Sequence, residues 1–131
     1  MIKNIYMFFF VFACSIGLWA CTSKEEGFKN LNSSQFEMLI QDKEVQLLDV
    51  RTPAEYSEGH IPSSLNLNAM DEDFASHVDE QLSKEHPVAV YCRSGKRSRK
   101  AADILVKKGF EVYNLDKGIT NWKEEGRDIE L

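Results

Sequence analysis

Val88-Ala89-Val90-Tyr91-Cys92-Arg93-Ser94-Gly95-Lys96-Arg97-Ser98 passes from an apolar run of strand length, introduced by Pro87, through a basic turn and into a helix. The helical pattern runs from Ser98 to Lys108, with Ala101, Ala102, Ile104 and Leu105 as its apolar stripe and Gly109 as its stop. A strand that feeds straight into a helix needs a crossover before the chain can rejoin the sheet, and crossovers join parallel strands.

The same alternation continues in both directions. Upstream, Ser34-Gln35-Phe36-Glu37 reads as a capping box opening a short helix through Ile40, and Val45 to Val50 as a strand. Thr52-Pro53-Ala54-Glu55 combines a Thr cap, Pro at the first helical position and a Glu that closes the box, so a one-turn helix through Glu58 follows at once, ended by Gly59 and Pro62. Leu65 and Leu67 alternate with asparagines as a short strand. Asp71 to Leu82 places Phe74 and Val78 on one helical face. Downstream, Phe110 to Leu115 reads as a strand and Gly118 to Lys123 as a terminal helical turn. This order predicts an α/β domain over residues 31–131, with a mainly parallel central sheet flanked by helices. Ligands of such sheets sit beyond the carboxyl ends of the strands, where Asp49-Val50-Arg51 and Cys92-Arg93 both fall.

The loop after Cys92 carries the chemistry. Gly95 lets the backbone curl so that successive N–H groups point inward as an anion-binding nest, and the helix that follows adds its positive end. Arg93, Lys96 and Arg97 add cations. Every one of these features favours thiolate over thiol, and the thiolate is the nucleophile. A buried structural cysteine is the bland alternative, but it must account for a glycine, three cations and a strand-to-helix junction falling together.

Cys92-Arg93-Ser94-Gly95-Lys96-Arg97-Ser98 resembles the active-site loop of single-domain rhodaneses. Asp49-Val50-Arg51-Thr52-Pro53-Ala54-Glu55-Tyr56, Gly59-His60-Ile61-Pro62, and Gly118 with Trp122 resemble three further motifs of that family in the same order. Lys117 stands where a glycine is common, and Ser63-Ser64 replace Gly-Ala. The resemblance implies a sulfurtransferase that moves sulfane sulfur from a small anionic donor, such as thiosulfate, to a thiol or cyanide through a persulfide on Cys92. It assigns Cys92 as nucleophile and carrier and the backbone from Arg93 through Ser94, Gly95 and Lys96 to Arg97 as the cradle. Arg93 and Arg97 then meet the donor's anionic end, and Lys96 helps to recruit it.

Other residues have weaker claims. Asp49 either orients a loop arginine by a charge-assisted hydrogen bond or serves as a local turn ligand, and Arg51 shares its strand end. Glu55 is most simply the capping partner of Thr52. His60 and Trp122 read as structural, His77 and His86 as solvent-facing. No His/Cys set has zinc-like spacing, so no metal is expected, and no cofactor. A phosphatase or arsenate reductase would need five residues between cysteine and arginine. Here Arg93 to Lys96 alone intervene before Arg97, and Ser98 takes the phosphatase arginine's place. A rhodanese-like binding module without catalysis is a rival of another class.

The N-terminus reads as an export signal. Among the first 20 residues only Lys3 is charged, and an apolar run from Ile5 to Leu18 follows it, short of the ~20 apolar residues a membrane span needs. Leu18-Trp19-Ala20-Cys21 resembles the lipobox of bacterial lipoproteins, with residues 1–20 removed and Cys21 lipidated. Residues 21–30 are then a polar tether, and the protein is exported and anchored to a bacterial membrane on its periplasmic or outer side. On that expectation Cys14 leaves with the signal and Cys92 is the only free thiol; under the alternative, an ordinary signal cleaved nearby, Cys21 is a free thiol as well. The net charge of −5 makes nucleic acid an unsuitable partner.

Overall fold

The computed structural model describes residues 27–131. The proposed signal, Cys14, Cys21 and the start of the tether lie outside the described residues. In chain order the elements are β1 (Lys29–Leu31), α1 (Ser33–Leu39), β2 (Gln46–Asp49), α2 (Pro53–Ser57), β3 (Leu65–Asn66), α3 (Phe74–Gln81), β4 (Val88–Tyr91), α4 (Lys96–Lys107), β5 (Val112–Leu115) and α5 (Gly118–Glu124). The strands form one five-stranded sheet in the order β1-β5-β4-β2-β3, and every pairing is parallel.

β4 lies in the middle, fully buried, and its alternation divides the core. Val88, Val90 and Cys92 face Phe74, Val78, Ala101, Ala102 and Leu105 on the side of α3 and α4. Ala89 and Tyr91 face Phe36, Leu115, Ile119 and Trp122 on the side of α1 and α5. Trp122 is 1% exposed, and its Nε1 donates to the Asp128 carbonyl at 2.8 Å, the packing role expected of it.

Several boundaries differ from the sequence reading, each for a local reason. α1 is capped by Asn32 rather than Ser34. The Asn32 side chain accepts from the Gln35 N–H at 2.8 Å, while the Gln35 side chain accepts from the Asn32 N–H at 2.9 Å. Ser33 is instead buried, its Oγ donating to Asn121 Oδ1 at 2.8 Å and tying α1 to α5. α3 begins at Phe74 rather than Asp71, because Asn68 Oδ1 takes the Met70 N–H and holds this approach in turns. β5 begins at Val112 rather than Phe110. The N–H groups of Gly109 and Phe110 close a Schellman motif on Val106 and Leu105, at 2.9 and 3.1 Å, so they are not free to pair in the sheet.

The end of the proposed tether also needs correction. Lys29 and Asn30 belong to β1, paired with Tyr113 and Asn114 of β5, and Phe28 is 8% exposed against the core. Polar residues suit an edge strand with an exposed face, which is why composition alone marks this stretch as linker.

Candidate active site

The active edge is where β2, β4 and β5 all end. Asp49 lies beside Tyr91 in the sheet, one residue before Cys92. Past Cys92 the chain turns at Gly95, whose φ of 104° is left-handed and whose missing side chain is required. A Cβ there would stand 2.2 Å from the Asp116 carbonyl oxygen. This turn starts α4 at Lys96, two residues earlier than the apolar pattern suggests, so Lys96 and Arg97 form the helix's first turn. No side chain caps that end. Its first N–H groups therefore remain available to an anion.

Cys92 is 1% exposed, and its Sγ accepts the Gly95 N–H at 3.1 Å. Burial pushes the thiol's pKa up. Hydrogen bonds from the Ser98 hydroxyl and from the N–H groups of Ser98, Gly95 and Ser94 outweigh it and bring the pKa below that of an ordinary thiol. Ser98, fully buried, was absent from the residues assigned by sequence, although it closes the motif. Its Oγ also reaches the Gly95 carbonyl at 3.1 Å, so its single proton serves either the turn or the sulfur.

A second helix fixes the loop from outside. The Ile119 N–H donates to the Cys92 carbonyl at 2.9 Å and the Thr120 N–H to the Arg93 carbonyl at 3.1 Å. With those carbonyls held by α5, the loop's N–H groups are left to face the sulfur. Gly118 makes the approach possible, since a Cβ there would stand 2.2 Å from the Arg93 oxygen. Lys117, in the place of a common glycine, has φ −101° and needs no such freedom.

The loop arginines go elsewhere than expected. Arg97 forks onto Glu55 with Nη1–Oε1 at 2.8 Å and Nη2–Oε2 at 2.9 Å. Arg93 reaches the same carboxylate, with Nη2 2.9 Å from Oε2, while its side chain stays 63% exposed. Neither donates to Sγ, though the charge of Arg97 and the thiolate favour one another through space. Hydrogen bonding to Arg97 leads the effects that hold the Glu55 carboxyl far below the usual carboxylate range, despite its partial burial. Glu55 also closes the Thr52 capping box, so one side chain couples α2 to the mouth of the site. Sequence reasoning saw the cap and missed the clamp, because the arginines are distant in the chain.

Asp49 is fully buried and binds Arg51 rather than a loop arginine, through Nη2 at 2.6 Å and Nε at 3.0 Å. Both are on the active edge as expected, but among the Tyr91 side of the sheet, opposite the face to which Cys92 belongs; the Arg51 guanidinium lies 5.7 Å from the Tyr91 ring centroid. His60 stacks on Tyr56 with centroids 3.7 Å apart, and its Nδ1 meets the Tyr56 carbonyl at 2.9 Å, a structural role. The Gly59–Ser64 turn is pinned by Tyr91, whose hydroxyl accepts the Ile61 N–H at 3.0 Å. Ser63, replacing a common glycine, holds φ at 71°, a left-handed conformation that costs about 1 kcal/mol without glycine. A cavity of about 490 Å³ beside Ile40, Val45 and Leu47 includes no residue of the Cys92 loop.

A parallel sheet that presents a buried, hydrogen-bonded sulfur at an uncapped helix end defines a class of small thiolate-cradle domains. The chain belongs to the rhodanese-like domain family, whose model matches residues 32–125. It is 37% identical over 98 residues to the thiosulfate sulfurtransferase GlpE of Shewanella oneidensis, covering 74% of this chain and 94% of that one. It is 35% identical over 103 residues to a sulfurtransferase of Allochromatium vinosum, covering 75% and 90%. A rhodanese-related protein from Thermoplasma volcanium has the same fold, with a TM-score of 0.66 and 30% identity over 79% of this chain and 99% of that one.

Proposed function

We propose that the protein is a sulfurtransferase that carries sulfane sulfur as a persulfide on Cys92, with thiosulfate as a competent donor. The observation that carries this reading is the sulfur itself, held below its ordinary pKa by Ser98 and by N–H groups at an uncapped helix end. Its relatives named as sulfurtransferases support the same reaction class.

In the first half-reaction the Cys92 thiolate attacks the outer sulfur of thiosulfate. A bond forms between Sγ and that sulfur, the donor's sulfur–sulfur bond breaks, and sulfite leaves with the electron pair. The N–H cradle takes up the charge on the outer sulfur of the persulfide anion. In the second, cyanide or an acceptor thiol bonds to that outer sulfur, and the pair from the broken bond returns to Sγ as thiolate. A thiol acceptor's proton leaves with the new persulfide. No base is required, because the thiolate is stabilised before the donor arrives.

Intact mass spectrometry after brief exposure to thiosulfate tests this. One sulfur should be gained at Cys92, lost again with cyanide, and never gained by Cys92→Ser. A folded, reduced protein that takes no sulfur from thiosulfate or any other persulfide donor overturns the reading in favour of a binding module.

In the same reading the protein works at a membrane surface, exported and held by lipid on Cys21. The support is the apolar run and Leu18-Trp19-Ala20-Cys21. Cys21→Ala should move the protein from the membrane to the soluble fraction. A wild-type protein found soluble, with unmodified Cys21, overturns the anchor.

A further inference from the structure

A second cavity of about 300 Å³ lies against the outer side of the Cys92 loop, lined by Arg51, Glu58, Arg93, Ile119, Thr120 and Lys123. Ile119 and Thr120 are the residues whose N–H groups hold the Cys92 and Arg93 carbonyls. The cavity therefore borders the backbone of Cys92 and Arg93 from the α5 side, the side of the sheet that also carries Asp49 and Arg51.

The charges around it are unevenly matched. Arg51 is 3% exposed; Asp49 takes its Nε and Nη2, and the Gly59 carbonyl takes Nη2 again at 2.8 Å. Nη1 donates to no acceptor among the described residues. The Lys123 ammonium comes to the same place, 3.9 Å from where a Gly59 Cβ would stand, and forms no ion pair among the described residues. Glu58 shares the wall, yet pairs with neither Arg51 nor Lys123. Arg93 reaches Glu55, and its largely exposed side chain also lines the cavity. A buried guanidinium with an idle donor, an unpaired ammonium and an exposed guanidinium converge here. That set matches a carboxylate, which takes planar, charge-assisted hydrogen bonds.

We propose that this cavity is the carboxylate subsite for the sulfur acceptor, which makes the acceptor a low-molecular-weight thiol bearing a carboxylate. The inference rests on the sulfurtransferase reading for its chemistry. With the carboxylate held by Lys123 and Arg51, the acceptor's sulfur bonds to the outer sulfur of the Cys92 persulfide. The bond to Sγ breaks with its pair left on Cys92, and the proton departs with the product persulfide. The donor does not need this pocket, because its anionic end is served by the cradle.

N-acetylcysteine and N-acetylcysteamine differ only in the carboxylate, so their relative kcat/KM with the persulfidated protein isolates the subsite. N-acetylcysteine should be preferred, and Lys123→Glu should lower that preference about tenfold through KM. Equal use of the two thiols, or a preference unmoved by Lys123→Glu, overturns the subsite. Binding is read separately by titrating the wild-type protein with unreactive S-methyl-N-acetylcysteine and following backbone amide shifts. Saturable shifts should cluster at Ile119, Thr120 and Lys123 and be lost in Lys123→Glu. Absence of such shifts overturns the subsite whether or not sulfur is transferred. Shifts in a protein that never takes up sulfur would uphold the pocket and overturn the reaction.

Discussion

The sulfur of Cys92 sits where two opposing effects meet. Burial favours the neutral thiol, and four hydrogen-bond donors favour the charged form and prevail. Hydrogen bonds to a charged group contribute roughly 1.5–3 kcal/mol each, about one to two units of pKa. Ser98→Ala removes one donor, so the midpoint of Cys92 alkylation by iodoacetamide should rise toward that of an ordinary thiol. An unchanged midpoint would mean that the backbone alone sets the thiolate. Cys92, Gly95 and the basic character of the loop were legible in the sequence, because strand, glycine and helix follow one another there. The destination of each arginine was not. A guanidinium finds its carboxylate across space, and nothing local marks Glu55 as the partner or separates it from Asp49.

At the scale of the element, the active loop is a junction braced from three sides. α4 supplies its open end, α5 takes its carbonyls, and α2 holds its arginines through Glu55. The sign of the Glu55 contribution follows from its lowered pKa: it is fully present above the unfolded value of ~4.3 and is lost as pH falls through the folded value. Glu55→Gln should therefore lower stability to urea at pH 7 by about 1–3 kcal/mol, and the gap from wild type should narrow only below about pH 4. A gap that is constant down to strong acid would show that the carboxylate charge is not what braces the junction. Helix and strand types were readable throughout this region from period and caps. Their ends shifted wherever a side chain or a Schellman closure claimed the N–H groups first, as at Asn32, Asn68 and Phe110.

Across the whole molecule, an acidic chain of net charge −5 carries a basic mouth. Arg93, Lys96, Arg97, Arg99 and Lys100 occupy the loop and the start of α4, partly offset by Glu55 and Asp116. Capture of a dianionic donor should gain from that local field. The second-order rate of sulfur loading from thiosulfate should fall several-fold as the Debye length shrinks from ~30 Å at ~0.01 M salt to ~10 Å at ~0.1 M. Alkylation by neutral iodoacetamide should change far less; parallel decline of both rates would point to the thiolate rather than to steering. The parallel sheet was legible as a class from its alternation of strands and helices. Its first strand was not, since Lys29 and Asn30 look like solvent-loving linker until β5 is beside them.

That edge strand has one more consequence. Because every strand runs the same way, the chain enters β1 at the side opposite the one where Cys92 leaves β4. Gly27 packs against Val106, ten residues along α4 from Lys96 and so roughly 15 Å from its open end. The described domain has a front and a back: the chain enters it at the back, and the Cys92 loop lies at its front.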